Sequence, residues 1–133
     1  ICAVLLTMVA GLPAGSADEA SASGSDEAAF VSALNQVRAN VGLPALTLNS
    51  QLSNLSRGHA QVMADAGSIF HADPISAGYN GSWSKMGENV GEGGGEQTLV
   101  DAFVASPGHY RNIVDPDFGE GQEDRDMSGQ GRA

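Results

Sequence analysis

Apolar residues recur at helical spacing in the first ordered part of this chain. A stripe formed by Phe30, Leu34, Val37 and Val41 predicts a helix from about Asp26 to Val41. Ser25 can cap that helix, and the acidic side chains of Asp26 and Glu27 suit its positive end. The helix should end at the glycine and proline that follow, Gly42 and Pro44. One face of the helix therefore needs a partner surface.

A second helix is predicted to start at Asn49 or Ser50 and to stop at Gly67. Its apolar stripe is Leu52, Leu55, His59, Val62 and Ala66. Because His59 falls within this stripe, it is better interpreted as a packed histidine that donates to backbone than as a ligand.

Beyond Gly67 the helical period is lost. Residues 68–85 are loop-rich, with turn signals at Asp73-Pro74 and Asn80-Gly81, and residues 86–90 read as a short strand. The glycine-dense stretch 91–95 predicts a mobile loop. A third helix is expected from Glu96 to Ala105, burying Leu99 and Phe103, and a last short helical piece should end at Asp115-Pro116.

The first seventeen residues are predicted to be the remnant of an export signal. Residues 1–10 are apolar but too short to cross a bilayer, and the small residues 15–17 suit a cleavage point. A retained membrane anchor is the alternative. Residues 18–24 read as a solvated linker. Cys2, the only cysteine, lies in the signal segment, so the mature chain would have no disulfide.

Length and charge restrict the partners of the chain. The 133 residues suit one compact domain, and a net charge of −10 argues against a nucleic-acid partner or an anionic membrane surface. Such acidity suits a soluble protein that works outside a cell, without stable membrane insertion of the mature chain. The sequence leaves the oligomeric state open.

Three residues separated along the chain carry the candidate chemistry. His71, Glu88 and His109 lie next to turn-forming residues, where the fold can bring two imidazoles and a carboxylate together. Such a set can bind a divalent cation such as zinc, although no short metal motif is present. The alternative is a hydrogen-bonded cluster in which Glu88 fixes the histidine tautomers. Asn89 and Ser106 are further candidates for the same cleft.

An ordered set of short motifs resembles one family, the CAP superfamily of cysteine-rich secretory proteins, antigen 5 and pathogenesis-related proteins. From Phe30 to Phe118 the chain is similar to a bacterial SCP-like domain, through segments 35–38, 42–46, 59–60, 63–64, 87–90 and 106–109, and His71. The resemblance implies an α+β fold, an α-β-α sandwich with a small antiparallel sheet, here assigned to residues 25–118. It also strengthens the interpretation of His71, Glu88 and His109 as metal ligands.

The chain departs from the family pattern in two places. Residues 119–133 are rich in glycine and acid where the family supplies sheet strands, so a disordered tail and an incomplete sheet are expected, as a truncated or frame-shifted reading would give. Many members place a second glutamate in the cleft, and it has no counterpart here.

Two classes of function follow from the resemblance. The first is a secreted module whose cleft binds a small apolar or lipid-like ligand. The second is a metal-assisted hydrolase or peptidase of the extracellular space. Binding is favoured because hydrolysis needs a positioned nucleophile and an electrophile, and the sequence offers only a candidate base. Ser106 lacks the G-x-S-x-G setting of a nucleophilic serine, and stretch 91–95 lacks the ending of a phosphate loop.

Overall fold

A computed structural model describes residues 2–10, 19–93 and 95–118, which form helices and strands in a mixed α+β arrangement. The elements in chain order are β1 (Cys2–Ala10), α1 (Glu19–Asn40), α2 (Ser50–Ala66), β2 (Lys85–Gly93), α3 (Glu96–Ala105) and α4 (Pro107–Ile113). The tail expected at 119–133 and residues 11–17 of the predicted signal lie outside the described residues. No helix in the described part of the chain is long and apolar enough to cross a membrane.

The ends of α2 are set by the residues that the sequence indicated. The side chain of Asn49 accepts hydrogen bonds from the N–H groups of Gln51 and Leu52, at 3.0 and 3.1 Å. At the other end Gly67 adopts a left-handed conformation (φ 63°), and its N–H donates to the carbonyl of Ala64. Both caps satisfy backbone groups that a helix leaves unpaired. The predicted boundaries of this helix are confirmed.

Helix α1 is longer than predicted at its start. It begins at Glu19, so most of the segment predicted as a linker is helical; residues 19–25 contain no proline, and a single glycine, Gly24, is tolerated within a helix. It ends at Asn40, and Gly42 (φ 78°) reverses the chain. The prediction that Val41 lies on the buried stripe is wrong, because the helix has ended and this side chain is exposed.

The two described strands run parallel. Cys2 pairs with Lys85 and Ala10 with Gly93, in continuous register between them. The predicted small antiparallel sheet is therefore wrong for this pair. A parallel pair needs a crossover, which α1 and α2 supply between the two strands. Residues 2–10 were expected to be part of an export signal rather than a strand, and export stays a prediction.

Strand β2 lies between helices, as its alternating side chains indicate. Met86 packs with Leu52 of α2, whereas Gly87 meets the ring of Phe118, beyond α4, and Gly91 meets α3. Because neighbouring residues of a strand point to opposite faces, Met86 faces the side of the sheet on which α2 packs, mainly against β1, whereas α3 and α4 lie over the other face of β2.

The predicted loop at 91–95 is partly wrong, because β2 continues to Gly93. A Cβ at Gly91 would lie 2.8 Å from Leu99 Cδ1 and from Phe103 Cε1. Glycine at this position therefore serves the close approach of a strand and a helix rather than a flexible turn.

The main core is formed by α1, α3 and α4. Its buried members are Phe30, Leu34, Leu99, Val100, Phe103 and Ile113. The rings of Phe30 and Phe103 meet edge to face at 6.3 Å.

A smaller apolar cluster joins α2 to the chain that follows it: Leu52, Leu55, Tyr79 and Met86. The inward face of α2 differs from the prediction. Met63 is buried, and Val62 and Ala66 are exposed, so the stripe is rotated towards Met63.

Candidate functional site

The buried carboxylate of Glu88 is the centre of the candidate site. Its side chain is only 1% exposed, and its Oε1 lies 2.7 Å from Nδ1 of His71 and accepts a hydrogen bond of 2.9 Å from the N–H of Ala72. Two donors from consecutive residues therefore meet one carboxylate oxygen. A buried carboxylate is tolerated when it is paired in this way.

His71 lies on the surface of the loop between α2 and β2. Its side chain is 63% exposed, although its Nδ1 contacts the buried Glu88. Since an ionised carboxylate only accepts hydrogen bonds, Nδ1 carries the proton. In the neutral ring, Nε2 is then left as an acceptor.

The residue before His71 is held by α2. Nε2 of His59 donates to the carbonyl of Phe70 at 2.7 Å, and the N–H of Phe70 donates to Sδ of Met63 at 3.3 Å. The rings of His59 and Phe70 meet edge to face at 5.3 Å. The prediction that His59 is a packed histidine donating to backbone is confirmed.

Two asparagines join α4 to β2. The fully buried Asn89 donates from Nδ2 to the carbonyl of His109 at 3.1 Å. Asn112 donates from Nδ2 to Oδ1 of Asn89 at 2.9 Å and to the carbonyl of Glu88 at 3.2 Å. The helix that bears His109 is therefore fixed to the strand that bears Glu88 by side-chain amides.

The ring of His109 packs against Phe103, with 4.6 Å between the ring centroids. Its Nδ1 is buried and has no hydrogen-bond partner among the described residues. A buried ring nitrogen in this state needs a polar partner from water or a ligand. Of the predicted site residues, His71 and Glu88 are in direct contact, and His109 is tied to them through the backbone and the two asparagines.

The predicted metal set is not assembled in this arrangement. Among the residues that the structure describes, no three His, Cys, Asp or Glu side chains are grouped so that they could hold a metal ion. Glu88 already accepts from His71 and Ala72 through one oxygen, and the adjacent Asn89 points to the opposite face of β2, towards α4. The side chains of His71, Glu88 and His109 thus do not form a closed ligand shell here.

Ser106 lies at the junction of α3 and α4. Its N–H donates to the carbonyl of Phe103 at 3.2 Å, and its own carbonyl accepts from the N–H of Tyr110 at 2.8 Å. These backbone bonds end one helix and begin the next. Its side chain makes no capping hydrogen bond.

Comparison with known proteins identifies the family. The family model described as "Cysteine-rich secretory protein family" (CAP) matches residues 31–120, which is more than half of the chain. The chain belongs to the CAP family. This CAP domain is also similar to an uncharacterized protein, YkwD, of Bacillus subtilis (strain 168), with 29% identity over 100 residues. That match covers 69% of this chain and 39% of the relative, so the chain spans well under half of its length. No solved structure matches the chain.

A buried arginine fixes the far end of α4 in this CAP domain. Arg38 is completely buried and donates to four backbone carbonyls: those of Pro44, Ile113, Asp115 and Phe118. Burial lowers the pKa of its guanidinium, against the opposing effect of the Asp115 carboxylate. This role of Arg38 was not predicted from the sequence. Its signal was spacing, because Arg38 follows Phe30 and Leu34 at intervals of four on the buried stripe.

A charged cluster, formed by Lys85, Asp115 and Asp117, lies beside the chain that follows α4. Lys85 at the start of β2 donates to the carboxylates of Asp115 and Asp117, and its Nζ lies 5.3 Å from the ring centroid of Phe118. These hydrogen bonds, led by that to Asp115, raise the pKa of Lys85. Burial acts to raise the pKa of Asp115, but hydrogen bonds from Lys85 and the Asp117 N–H outweigh it and lower that pKa below its ordinary value.

Two aromatic side chains of the loop between α2 and β2 differ in burial. Tyr79 packs with Leu52 and Met86 and so covers the smaller apolar cluster. Trp83 is exposed in the same loop. Ile69 and Phe70, which immediately precede His71, also expose much of their apolar surface.

Proposed function

We propose that this CAP domain is an extracellular binding module for a small apolar or lipid-like ligand, held beside His71 and Glu88. One observation carries the proposal: an exposed imidazole, anchored on a buried carboxylate, directly follows two exposed apolar side chains. Ile69 is 46% exposed and Phe70 is 42% exposed. Apolar surface with a few fixed polar groups is the usual composition of a ligand site.

The hydrogen bond between His71 and Glu88 suggests the polar part of the ligand. When Nδ1 of His71 donates its hydrogen bond to Glu88 and the ring carries no second proton, Nε2 is an acceptor that faces solvent. A hydroxyl group on an otherwise apolar molecule can donate to that nitrogen. The ligand class is therefore an apolar body with a hydroxyl or similar group.

Hydrolysis is the competing function, and it finds less support. Glu88 and His71 form a base with an orienting carboxylate, but a catalyst also needs a positioned nucleophile. The backbone of Ser106 serves the junction between α3 and α4, and the described residues group no metal ligands. The experiment that tests binding should therefore also test for hydrolysis.

Trp83, the only tryptophan of the chain, offers a direct test because it lies in the same loop as His71. The protein would be titrated with a long-chain alcohol and with the hydrocarbon of equal length, following Trp83 fluorescence and the heat of binding. We expect the alcohol to bind more tightly, and His71→Ala to remove that preference. Phe70→Ser should weaken both probes. Gln97→Ala, an exposed change on α3, is the matched control.

The outcomes separate the two functions. If neither probe binds, or if His71→Ala binds both as the wild type does, the binding proposal is wrong. Turnover of an ester or peptide that needs zinc and is lost on His71→Ala would replace it with hydrolysis.

Export is the second part of the proposal and has its own test. Its support is the apolar segment 1–10 followed by small residues at 15–17. Mass spectrometry of the protein isolated from the culture medium of its source should find a chain that begins at Asp18. Recovery from the medium of a chain that still carries residues 2–10, or retention of the protein in cells, would contradict export with cleavage.

A further inference from the structure

Asn80 differs from every other asparagine of this chain. All seven asparagines lie in the described part of the chain, and six have a side-chain hydrogen bond: Asn35, Asn40, Asn49, Asn54, Asn89 and Asn112. The carboxamide of Asn80 has none among the described residues, and the residue is exposed in the loop that follows Tyr79. Its side chain is therefore free to rotate.

Gly81 follows Asn80, and no other asparagine in the sequence precedes a glycine. The N–H of Gly81 makes no hydrogen bond within the described structure, and this residue is also exposed. Since glycine has no Cβ, its backbone nitrogen is the least shielded of all residues. The position of the Tyr79 side chain also requires a glycine here, because its hydroxyl would lie 2.5 Å from a Cβ added at Gly81.

We propose that the Asn80–Gly81 bond is a site of spontaneous deamidation in the folded protein. The backbone nitrogen of Gly81 attacks Cγ of Asn80 and forms an N–Cγ bond. The bond between Cγ and Nδ2 breaks, and Nδ2 leaves as ammonia with the proton that the Gly81 nitrogen gives up. Water then opens the resulting succinimide at either carbonyl carbon, leaving aspartate or isoaspartate at position 80.

The modification changes a loop that contributes to the candidate site. It adds a negative charge, and the isoaspartyl product also lengthens the backbone by one carbon beside Tyr79. Tyr79 packs on Leu52 and Met86, next to Gly87 and Glu88 in β2. The isoaspartyl form should therefore loosen this packing more than the aspartyl form.

Peptide mapping of the whole chain during incubation at mildly alkaline pH tests the proposal. Replacement of NH2 by OH raises the mass of the affected peptide by about one dalton, and the two products separate by chromatography. We expect Asn80 to react about ten times faster or more than Asn54, which precedes a leucine rather than a residue without a Cβ. The same measurement in urea supplies the unfolded reference.

Folding should slow the deamidation of asparagines whose side chains are hydrogen-bonded, but not that of Asn80. Asn49, whose carboxamide caps α2, should react much more slowly in the folded protein than in urea, whereas Asn80 should react at nearly the same rate in both. Equal rates for Asn80 and Asn54 in the folded protein would overturn the proposal. The proposal would also be overturned if folding slowed the reaction of Asn80 as strongly as that of Asn49. A third contrary result would be an equal mass increase, in the peptide that contains position 80, for the Asn80→Gln variant.

Discussion

The carboxylate of Glu88 and the imidazole of His71 meet at 2.7 Å, although one side chain is buried and the other is largely exposed. The contact joins the middle of β2 to a loop that has little regular structure of its own. Because Ala72 donates to the same oxygen, one carboxylate holds two consecutive residues of the loop, next to Phe70, which α2 holds. Glu88 is thus both part of the candidate site and the residue that fixes His71 and Ala72 in the loop beside it.

Replacing Glu88 should test that anchor. We expect Glu88→Ala to lower the free energy of unfolding by about 2–4 kcal/mol, because it removes a buried acceptor from two donors and leaves a void. Glu88→Gln should cost less, since its carbonyl oxygen can still accept one of the bonds. Urea unfolding would measure both. Glu92→Gln, an exposed change in the same strand, should stay within about 0.5 kcal/mol of the wild type.

Arg38→Lys should be strongly destabilising despite keeping the charge. One ammonium group cannot reach four carbonyls, and each buried carbonyl left unsatisfied costs about 1–3 kcal/mol. We therefore expect a loss of roughly 3 kcal/mol or more by thermal or urea unfolding. Arg57→Lys is the matched control, because Arg57 is partly exposed and pairs with Glu27 on the surface. A change for Arg38→Lys as small as the control would contradict the role assigned to the guanidinium.

Gly91→Ala and Gly58→Ala should have opposite effects. A methyl group at Gly91 would overlap Leu99 and Phe103, and overpacking of this kind costs about 1–3 kcal/mol. Gly58 lies inside α2 with nothing within 4 Å of an added Cβ, so alanine there should stabilise the helix by about 0.5–1 kcal/mol. Melting temperatures of the two variants would decide the matter, and a stable Gly91→Ala protein would contradict the packing of β2 on α3.

Stability should fall in acid partly through Asp115. Its folded pKa lies below the ordinary value of 3.8, so its contribution is complete above that pH and is lost as the pH falls towards the folded pKa. Asp115→Asn should be less stable than the wild type at neutral pH, and the difference should shrink below about pH 4. Unfolding curves across that range would measure it. Asp65→Asn, an exposed change on α2, should show no such convergence if the effect belongs to Asp115.

Local signals in the sequence predicted local structure well. The glycine and asparagine at the ends of α2 act through their own side chain or φ angle, and the bounds of α3 were predicted correctly at Glu96 and Ala105. The rotation of the α2 face was missed because it is decided by neighbours far along the chain. The continuation of β2 through Gly91 was missed for the same reason, since a glycine looks alike in a loop and in a tight contact.

The candidate site was predicted as a set of residue types rather than as a geometry. His71 and Glu88 could be paired because both stand beside turns in a recognisable pattern. The bridging amides of Asn89 and Asn112 depend on how α4 lies on β2, and no pattern in either segment specifies that orientation. Asn112 follows His109 by one helical turn, which is the one signal that it shares a face with the histidine.

The contacts of Arg38 also constrain how the domain is made. Three of its four acceptors, Ile113, Asp115 and Phe118, are next to α1 in space but up to 80 residues further along the chain. A ribosome releases α1 long before those carbonyls are available, and a guanidinium is too costly to bury without them. We therefore expect the nascent domain to remain unfolded until residue 118 has left the exit tunnel, and then to fold in one cooperative step.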